Sequence, residues 1–203
     1  MLISINQDNP ENRKIRQVVE ILEKGGVIIY PTDTIYGLGC DIFQTKSIER
    51  ICRIRNLDVS KANLTIICKD IAQLSLYTKL IDNKVFKTLK KNSPGPFTFI
   101  LKSGNEIPKI FKNRRKTIGI RIPDNKIAQS IIAELGHPIL SISLKSDDEI
   151  LEYFTDPSEI HDDFQKLVEV VVDGGIGKNI PSAVVDCSDG SIDIIREGEV
   201  SLE

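Results

Sequence analysis

One short stretch of this sequence joins a buried strand to side chains that can bind a small polar molecule. The apolar run Val27–Tyr30 is followed by Pro31-Thr32-Asp33-Thr34-Ile35-Tyr36-Gly37-Leu38-Gly39. An apolar run closed by turn residues predicts a buried strand, and the end of such a strand is where α/β proteins hold ligands. Two hydroxyls and a carboxylate at that point can grip a molecule that carries both an amine and a carboxylate.

The remaining residues exclude several familiar catalytic chemistries. The two histidines, His137 and His161, lie in a turn and in an acidic stretch, and no His/Cys/Asp cluster has metal-ligand spacing. No Gly-x-Ser-x-Gly elbow is present, and residues 174–179 lack the spacing and the final Ser/Thr of a Walker loop. We therefore predict no metal site. Hydroxyls, arginines and glycine–proline turns suit adenylation or another reaction at phosphate, which depends on positioning and charge neutralisation.

The elements that must position these side chains follow from the hydrophobic pattern. Apolar residues at helical spacing predict a first helix that starts at Asn9-Pro10 and ends at Gly25-Gly26. Thr45, Asp70 and Asp124 are predicted to cap later helices, and residues 147–163 form a peripheral helical stretch. Strands are predicted at residues 2–5, 27–30, 64–68, 97–101, 117–122, 139–143, 168–172, 183–187 and 192–195. Strands and helices mingle without strict alternation, which favours a mixed α/β sheet with flanking helices.

Length, charge and cysteine content narrow the class of protein further. A chain of 203 residues fits one domain, residues 1–203. The net charge of −2 gives no global attraction to nucleic acid, although basic residues cluster at 50–55 and 109–116. Four cysteines without CxxC spacing indicate reduced thiols in a cytoplasmic protein. We predict no signal peptide and no membrane-spanning segment.

Five segments, in their order along the chain, resemble one known family. They are Pro31–Gly39 as quoted above, Arg53-Ile54-Arg55, Ser93-Pro94-Gly95-Pro96-Phe97-Thr98, Ile120-Arg121-Ile122-Pro123, and Pro181-Ser182-Ala183-Val184-Val185-Asp186 with Ile195-Arg196-Glu197-Gly198. Together they look like the YrdC-type domain of the threonylcarbamoyl-AMP synthase family. The resemblance implies a single twisted mixed α/β sheet with flanking helices and a large concave cleft.

The same resemblance implies an activity and a set of partners. Family members combine L-threonine, bicarbonate and ATP, with Mg²⁺, into threonylcarbamoyl-AMP and pyrophosphate, and the product serves a modification of tRNA. Some members are linked to double-stranded RNA. The implied reaction is attack of a threonylcarbamate oxygen on the α-phosphorus of ATP, with cations offsetting the developing charge.

The resemblance also implies roles for individual residues. Thr32, Thr34, Tyr36 and Ser182 would lie against threonine, with Arg121 holding its carboxylate, because a guanidinium fork suits that group. The residues implied at the nucleotide are Arg53, Arg55, Thr98, Ser141 and Arg196. Those implied to act in catalysis are Arg53, Arg55, Ser141 and Ser143.

Three departures from the family pattern bring the sequence closest to the YciO branch. A family lysine is Arg53 here, a Ser-x-Asn is Ser141-Ile142-Ser143, and a Pro-Leu segment is Ala62-Asn63-Leu64 after a longer loop. A planar guanidinium does not replace a compact ammonium at phosphate, and a hydroxyl offers fewer hydrogen-bonding groups than an amide. The departures affect the ATP side and leave the threonine side comparatively intact.

Alternative interpretations stay open. The chain could have lost the reaction and bind tRNA, double-stranded RNA or the ribosome, or it could hydrolyse a carbamoyl adenylate. Locally, residues 32–34 could form an ordinary strand-ending turn braced by Asp33. Arg53 and Arg55 could complement a helix end, and the Ser141 and Ser143 hydroxyls could be satisfied by backbone. The sequence makes no prediction of oligomeric state.

Overall fold

The computed structural model describes residues 1–59, 62, 64–108, 116–144 and 153–203. Within these ranges the strands are β1 (Leu2–Ser4), β2 (Val27–Tyr30), β3 (Gly37–Asp41), β4 (Thr65–Ile67), β5 (Phe97–Lys102), β6 (Thr117–Arg121), β7 (Ile139–Ser143), β8 (Val170–Asp173), β9 (Ala183–Asp186) and β10 (Asp193–Arg196). The helices are α1 (Asn12–Glu23), α2 (Thr45–Ile54), α3 (Ile71–Leu76), α4 (Asn83–Lys91), α5 (Lys126–Leu135) and α6 (Pro157–Phe164).

All ten strands join one mixed sheet in the order β1-β8-β2-β3-β7-β4-β6-β5-β9-β10. The pairs β1/β8, β2/β8, β4/β6 and β5/β9 are parallel, and the other neighbours are antiparallel. The predicted class, a mixed α/β sheet with flanking helices, is confirmed.

Side chains of successive strand residues point to opposite faces of the sheet, and each face is covered by different helices. On β2, Val27 and Ile29 join a core formed with α2, α3, α4 and α6, whereas Ile28 and Tyr30 join a second core formed with α1 and α5. All four residues of β2 are therefore buried.

Helices α1 and α5 cover only half of their face. Their core takes side chains from β1, β2, β4, β7 and β8, but, within the described ranges, none from β5, β6, β9 or β10. Over the other half, strand alternation places small and polar side chains on this face; they include Thr65, Thr98, Gly119, Arg121 and Ser141. Within the described residues neither α1 nor α5 packs against this part of the face, which we call the open half-face; Thr98, Arg121 and Ser141 on it are nevertheless buried.

The structure moves several predicted boundaries. The first helix starts at Asn12 with Glu11 at the N-cap, so the predicted start at Asn9-Pro10 is wrong. The N-caps of α2 and α5 are Gln44 and Asn125, each one residue from the predicted Thr45 and Asp124. Asp70 caps α3 as predicted, since its carboxylate accepts from the Gln73 N–H.

Strand β3 was not predicted from the sequence. Its five residues, Gly37 to Asp41, are all buried and include two glycines, so they show no polar–apolar alternation. Because β3 pairs antiparallel with β2, residues 31–36 form the loop of a β-hairpin.

Some predictions fall outside the described residues. They concern Asn63, residues 109–115 of the second basic cluster and the first residues of the acidic stretch, 147–152. The rest of that stretch contains α6. In the part of the chain that is described, no helix is both long and apolar enough to cross a membrane.

Candidate functional site

The hairpin loop 31–36 is held by a directed chain of hydrogen bonds. Arg121 Nη1 donates to Thr34 Oγ1 at 2.7 Å, and Thr32 Oγ1 donates to the Ile35 carbonyl at 2.7 Å. The two threonine hydroxyls are 3.2 Å apart. Because the single Thr32 proton goes to Ile35, the Thr34 hydroxyl must donate to Thr32. The Thr34 N–H also donates to Thr32 Oγ1, so the Thr32 hydroxyl is fully used by the turn. Direct contact of Thr32 with threonine stays a prediction.

Asp33 and Arg121 form a buried ion pair beside this chain. Arg121 Nη2 lies 2.6 Å from Asp33 Oδ1, and the two side chains are 7% and 12% exposed. Burial lowers the pKa of the Arg121 guanidinium, and Asp33 opposes that shift. The loop therefore brings a guanidinium, a carboxylate and a hydroxyl to one point at the end of β6.

Three polar atoms at this point are buried without a hydrogen bond from any described residue. They are Tyr30 OH, Asp33 Oδ2 and Arg121 Nε. Burial raises the pKa of Tyr30 to about 12; Ser141 and Arg121 lie close enough to oppose the shift, but no hydrogen bond of normal geometry joins them to the hydroxyl. An unsatisfied buried polar group costs about 1–3 kcal/mol. Such a concentration at one point indicates a place for polar groups from outside the chain.

Glycines on β3 allow Tyr30 and Ser141 to lie across the strand. Ser141 is opposite Gly39 in the β3/β7 ladder, and Ser143 is opposite Gly37. A Cβ atom on Gly37 would lie 2.8 Å from Ser141 Oγ, and one on Gly39 would lie 2.8 Å from Tyr30 Cε1. Both glycines are therefore required by close packing next to the site.

A second polar cluster lies farther along the open half-face. The Thr98 and Ser182 hydroxyls are 2.8 Å apart and buried, and Arg196 donates from Nε and Nη2 to the Ser182 carbonyl at 3.1 and 2.8 Å. The Arg196 charge acts on Arg121, so the two clusters are neighbours. The structure thus brings together predicted residues from the hairpin loop, β5, β6, β10 and the residue before β9.

The two remaining arginines are placed differently. Arg53 is exposed in the last turn of α2, and Arg55 is half-buried at the helix C-cap. Among the described residues, no hydrogen bond joins the Arg53 side chain to Arg121, Ser141 or Arg196. Their predicted roles at ATP, and the catalytic roles of Ser141 and Ser143, stay predictions.

Tyr36 anchors the glycine-rich loop after β8. Its hydroxyl donates to the Gly175 carbonyl at 2.7 Å and accepts from the Gly174 N–H at 3.3 Å, and burial raises its pKa to about 12. The Lys178 N–H donates to the Thr34 carbonyl at 3.1 Å. A cleft of about 410 Å³ adjoins this loop; its lining residues are Thr155, Ile176, Gly177, Lys178, Asn179, Ile180 and Glu199. It contains none of the predicted site residues, although its lining loop fixes the outer side of the hairpin.

The cysteines do not provide a nucleophile to this site. Cys40, Cys52, Cys68 and Cys187 are free and buried, and burial raises the pKa of each thiol, that of Cys187 to about 11. Within the described ranges, no group of three or more His, Cys, Asp or Glu side chains could hold a metal ion. Mg²⁺ bound to ATP is coordinated largely by the phosphates and water, so a nucleotide can carry its own metal into such a site.

Sequence reasoning missed three contributors to the site. Tyr30 and Thr65 belong to apolar runs that indicate only a buried strand, and no motif marks Gly119 as part of a site. The ladder places Thr65 between Ser141 and Gly119 on neighbouring strands. A strand order is needed to see this, because the three residues are far apart in sequence.

Replacing Tyr30 by phenylalanine should stabilise the protein. The change removes a buried hydroxyl that receives no hydrogen bond from the described residues, so we expect the free energy of unfolding to rise by about 1 kcal/mol. The matched control is Tyr36→Phe, which removes a hydroxyl with two hydrogen-bond partners. This change should lower the free energy of unfolding by about 1 kcal/mol. Urea denaturation of both variants measures the difference. A Tyr30→Phe variant that loses as much stability as Tyr36→Phe would contradict the unsatisfied state of the Tyr30 hydroxyl.

Comparison with known proteins gives relatives over nearly the whole chain. The Sua5/YciO/YrdC family model, described as "Telomere recombination", matches residues 20–198. YciO of Escherichia coli K12 is 45% identical over 196 residues, covering 96% of this chain and 93% of YciO. The crystal structure of E. coli YciO superposes with a TM-score of 0.92 at 43% identity, covering 100% and 98% of the two chains.

Two further relatives are less similar in sequence. The threonylcarbamoyl-AMP synthase of Nitrosococcus oceani is 32% identical over 132 residues, which are 65% of this chain and 71% of the synthase. The crystal structure of P. abyssi Sua5 complexed with L-threonine matches with a TM-score of 0.88 at 25% identity, covering 98% of this chain and 57% of Sua5. The extent of the family match, together with the shared fold, shows that this chain belongs to the Sua5/YciO/YrdC family.

Proposed function

We propose that this chain is a nucleotidyltransferase of the threonylcarbamoyl-AMP synthase type, which binds L-threonine in the hairpin-loop site and ATP across the open half-face. The observation that carries the proposal is the Arg121 guanidinium, buried at the end of β6 and oriented by Thr34 and Asp33. Removing a guanidinium from water is costly unless it is paired, and an arginine fork favours a carboxylate ligand. The L-threonine complex of a Sua5 relative supports the choice of amino acid.

The nucleotide half of the proposal depends on the second cluster. Thr98, Ser182 and Arg196 lie beside Arg121 on the same half-face. An adenylate-forming step needs the threonylcarbamate and the α-phosphate to be adjacent, and cations must offset the charge that develops at phosphorus. We propose Arg196 for this role, because its charge acts on Arg121. Arg53 and Arg55 are the candidates for the outer phosphates, and Ser141 and Ser143 are the candidates for catalysis.

The direct test supplies L-threonine, bicarbonate, ATP and Mg²⁺ to the purified protein. We expect threonylcarbamoyl-AMP and pyrophosphate in equal amounts, with neither formed when threonine is omitted. Chromatography with mass detection identifies the adenylate. Release of AMP from added threonylcarbamoyl-AMP, without synthesis, would instead indicate the hydrolase, and no product in either assay would exclude both activities.

A binding function is the second candidate, and the exposed position of Arg53 favours it. Arg53 stands where the family has a lysine, and it lies at the surface end of α2. A chain that retained the amino-acid half and lost the nucleotide half could still bind tRNA or double-stranded RNA through exposed cations. Such binding should weaken steeply with added salt. Salt-sensitive RNA binding by a protein that forms no adenylate from ATP would favour this candidate.

The proposed reaction also implies a setting. Threonine, bicarbonate and ATP are available in the cytoplasm, and the product would enter tRNA modification there. Four buried free thiols are compatible with a reducing compartment. The Mg²⁺ of the reaction would enter with ATP as part of the substrate.

A further inference from the structure

The ion pair between Asp33 and Arg121 is only half satisfied. It consists of one contact, from Arg121 Nη2 to Asp33 Oδ1 at 2.6 Å, although two parallel contacts are common when the two groups pair for stability. Arg121 Nη1 is directed to Thr34 instead. As a result, Asp33 Oδ2 and Arg121 Nε are both buried without a hydrogen bond from the described residues.

A role limited to bracing the loop accounts for only one of the two carboxylate oxygens. Oδ1 fixes the guanidinium and thereby the hairpin loop. Oδ2 makes no such contact, and an unpaired oxygen on a buried carboxylate carries a larger penalty than a neutral group. The buried carboxylate of Asp41 differs in one respect: its Oδ1 accepts from the Phe43 N–H and lies 2.8 Å from His137 Nε2, and its Oδ2 is not a buried atom without a partner.

The charges at this point also select among ligands. A simple carboxylate that approaches Arg121 also approaches the negative charge of Asp33, and like charges at close range cost several kcal/mol. A ligand that carries a cation next to its carboxylate avoids this repulsion, because its two charges can lie antiparallel to the ion pair. Repulsion of the wrong ligand is a recognised source of specificity.

We propose that Asp33 is a specificity residue that binds the α-ammonium group of a zwitterionic amino acid through Oδ2, while Arg121 binds the carboxylate of the same molecule. This inference rests on the proposed function and deepens it, since it names the feature that selects the amino acid that enters the site. Hydroxy acids and simple carboxylic acids, which lack an amine, are disfavoured by the same carboxylate.

The experiment compares two ligands that differ at one group. Isothermal titration calorimetry measures the affinity of the full chain for L-threonine and for 2,3-dihydroxybutanoate, in which a hydroxyl replaces the amine. We expect the wild-type chain to prefer threonine by roughly 100-fold or more, as sites with a buried charged partner do. In the Asp33→Asn variant, which keeps the size of the side chain, the preference should fall below about 10-fold.

The ratio of the two affinities distinguishes a loss of amine recognition from a general loosening of the hairpin loop. A variant that merely loosened the loop would weaken both ligands and leave their ratio unchanged. Asp41→Asn is the matched control, because it neutralises a buried carboxylate outside the site and should keep the wild-type ratio. If Asp33→Asn does not fold, the ratio of the two affinities measured on the wild-type chain still tests the inference. Threonine binding with no preference over the dihydroxy acid overturns this inference alone, whereas no threonine binding overturns the proposed function as well.

Discussion

Replacing Arg121 by methionine is expected to lower the free energy of unfolding by about 3–5 kcal/mol and to weaken threonine binding by roughly 100-fold or more. The reason is that Asp33 would remain buried with no cation to pair with. Thr34 would lose its donor at the same time, so the hydrogen-bond chain through the hairpin loop would lose its first member. Urea denaturation and calorimetry measure the two effects separately.

A double-mutant cycle shows whether the loss arises from the stranded carboxylate. In Asp33→Asn/Arg121→Met both charges are removed, and replacing a buried ion pair entirely costs far less than breaking it. We therefore expect the double variant to recover at least about 2 kcal/mol relative to Arg121→Met, with no recovery of threonine affinity. If the double variant lost as much unfolding free energy as the sum of the two single variants, the ion pair between Asp33 and Arg121 would be refuted.

Replacing Gly39 by alanine is expected to lower the free energy of unfolding by about 1–3 kcal/mol and to disturb the site. The new Cβ would lie 2.8 Å from Tyr30 Cε1 and 2.9 Å from Ile139 Cγ2, and both side chains are fully buried. Neither can move without displacing its neighbours, because protein interiors are close-packed. The Tyr30 ring, whose hydroxyl lies near Arg121 and Ser141, would have to move, so threonine affinity should fall together with stability.

Gly136→Ala separates crowding from backbone strain. Gly136 has a φ of 81° at the C-cap of α5, and a Cβ there would meet no atom within 4 Å. Its replacement should cost about 1 kcal/mol through strain alone and leave threonine affinity unchanged. If Gly39→Ala retained wild-type stability and affinity, the close packing of β2, β3 and β7 would be refuted.

The sequence was sufficient for local features that depend on a few neighbouring residues. Strand β2 is an unbroken apolar run, and α5 has apolar residues at helical spacing that end at a glycine, so both were predicted close to their true bounds. Strand β3 was missed because Gly37 and Gly39 are there for their lack of a side chain, and that requirement comes from β2 and β7. Tyr30 was placed correctly in its strand, but nothing local indicated that its hydroxyl would be buried beside Arg121.

By itself, the sequence determined the class of fold and the family, because these depend on hydrophobic periodicity and on motifs that are contiguous in the chain. Only the tertiary structure decided that Asp33 and Arg121, separated by 87 intervening residues, form a half-satisfied ion pair. It also decided that the Thr32 hydroxyl is used by its own turn, and that, among the described residues, the core of α1 and α5 takes no side chain from β5, β6, β9 or β10. The physical reason is that burial and hydrogen-bond saturation are properties of neighbours in space, which strand order and helix packing set across the whole chain.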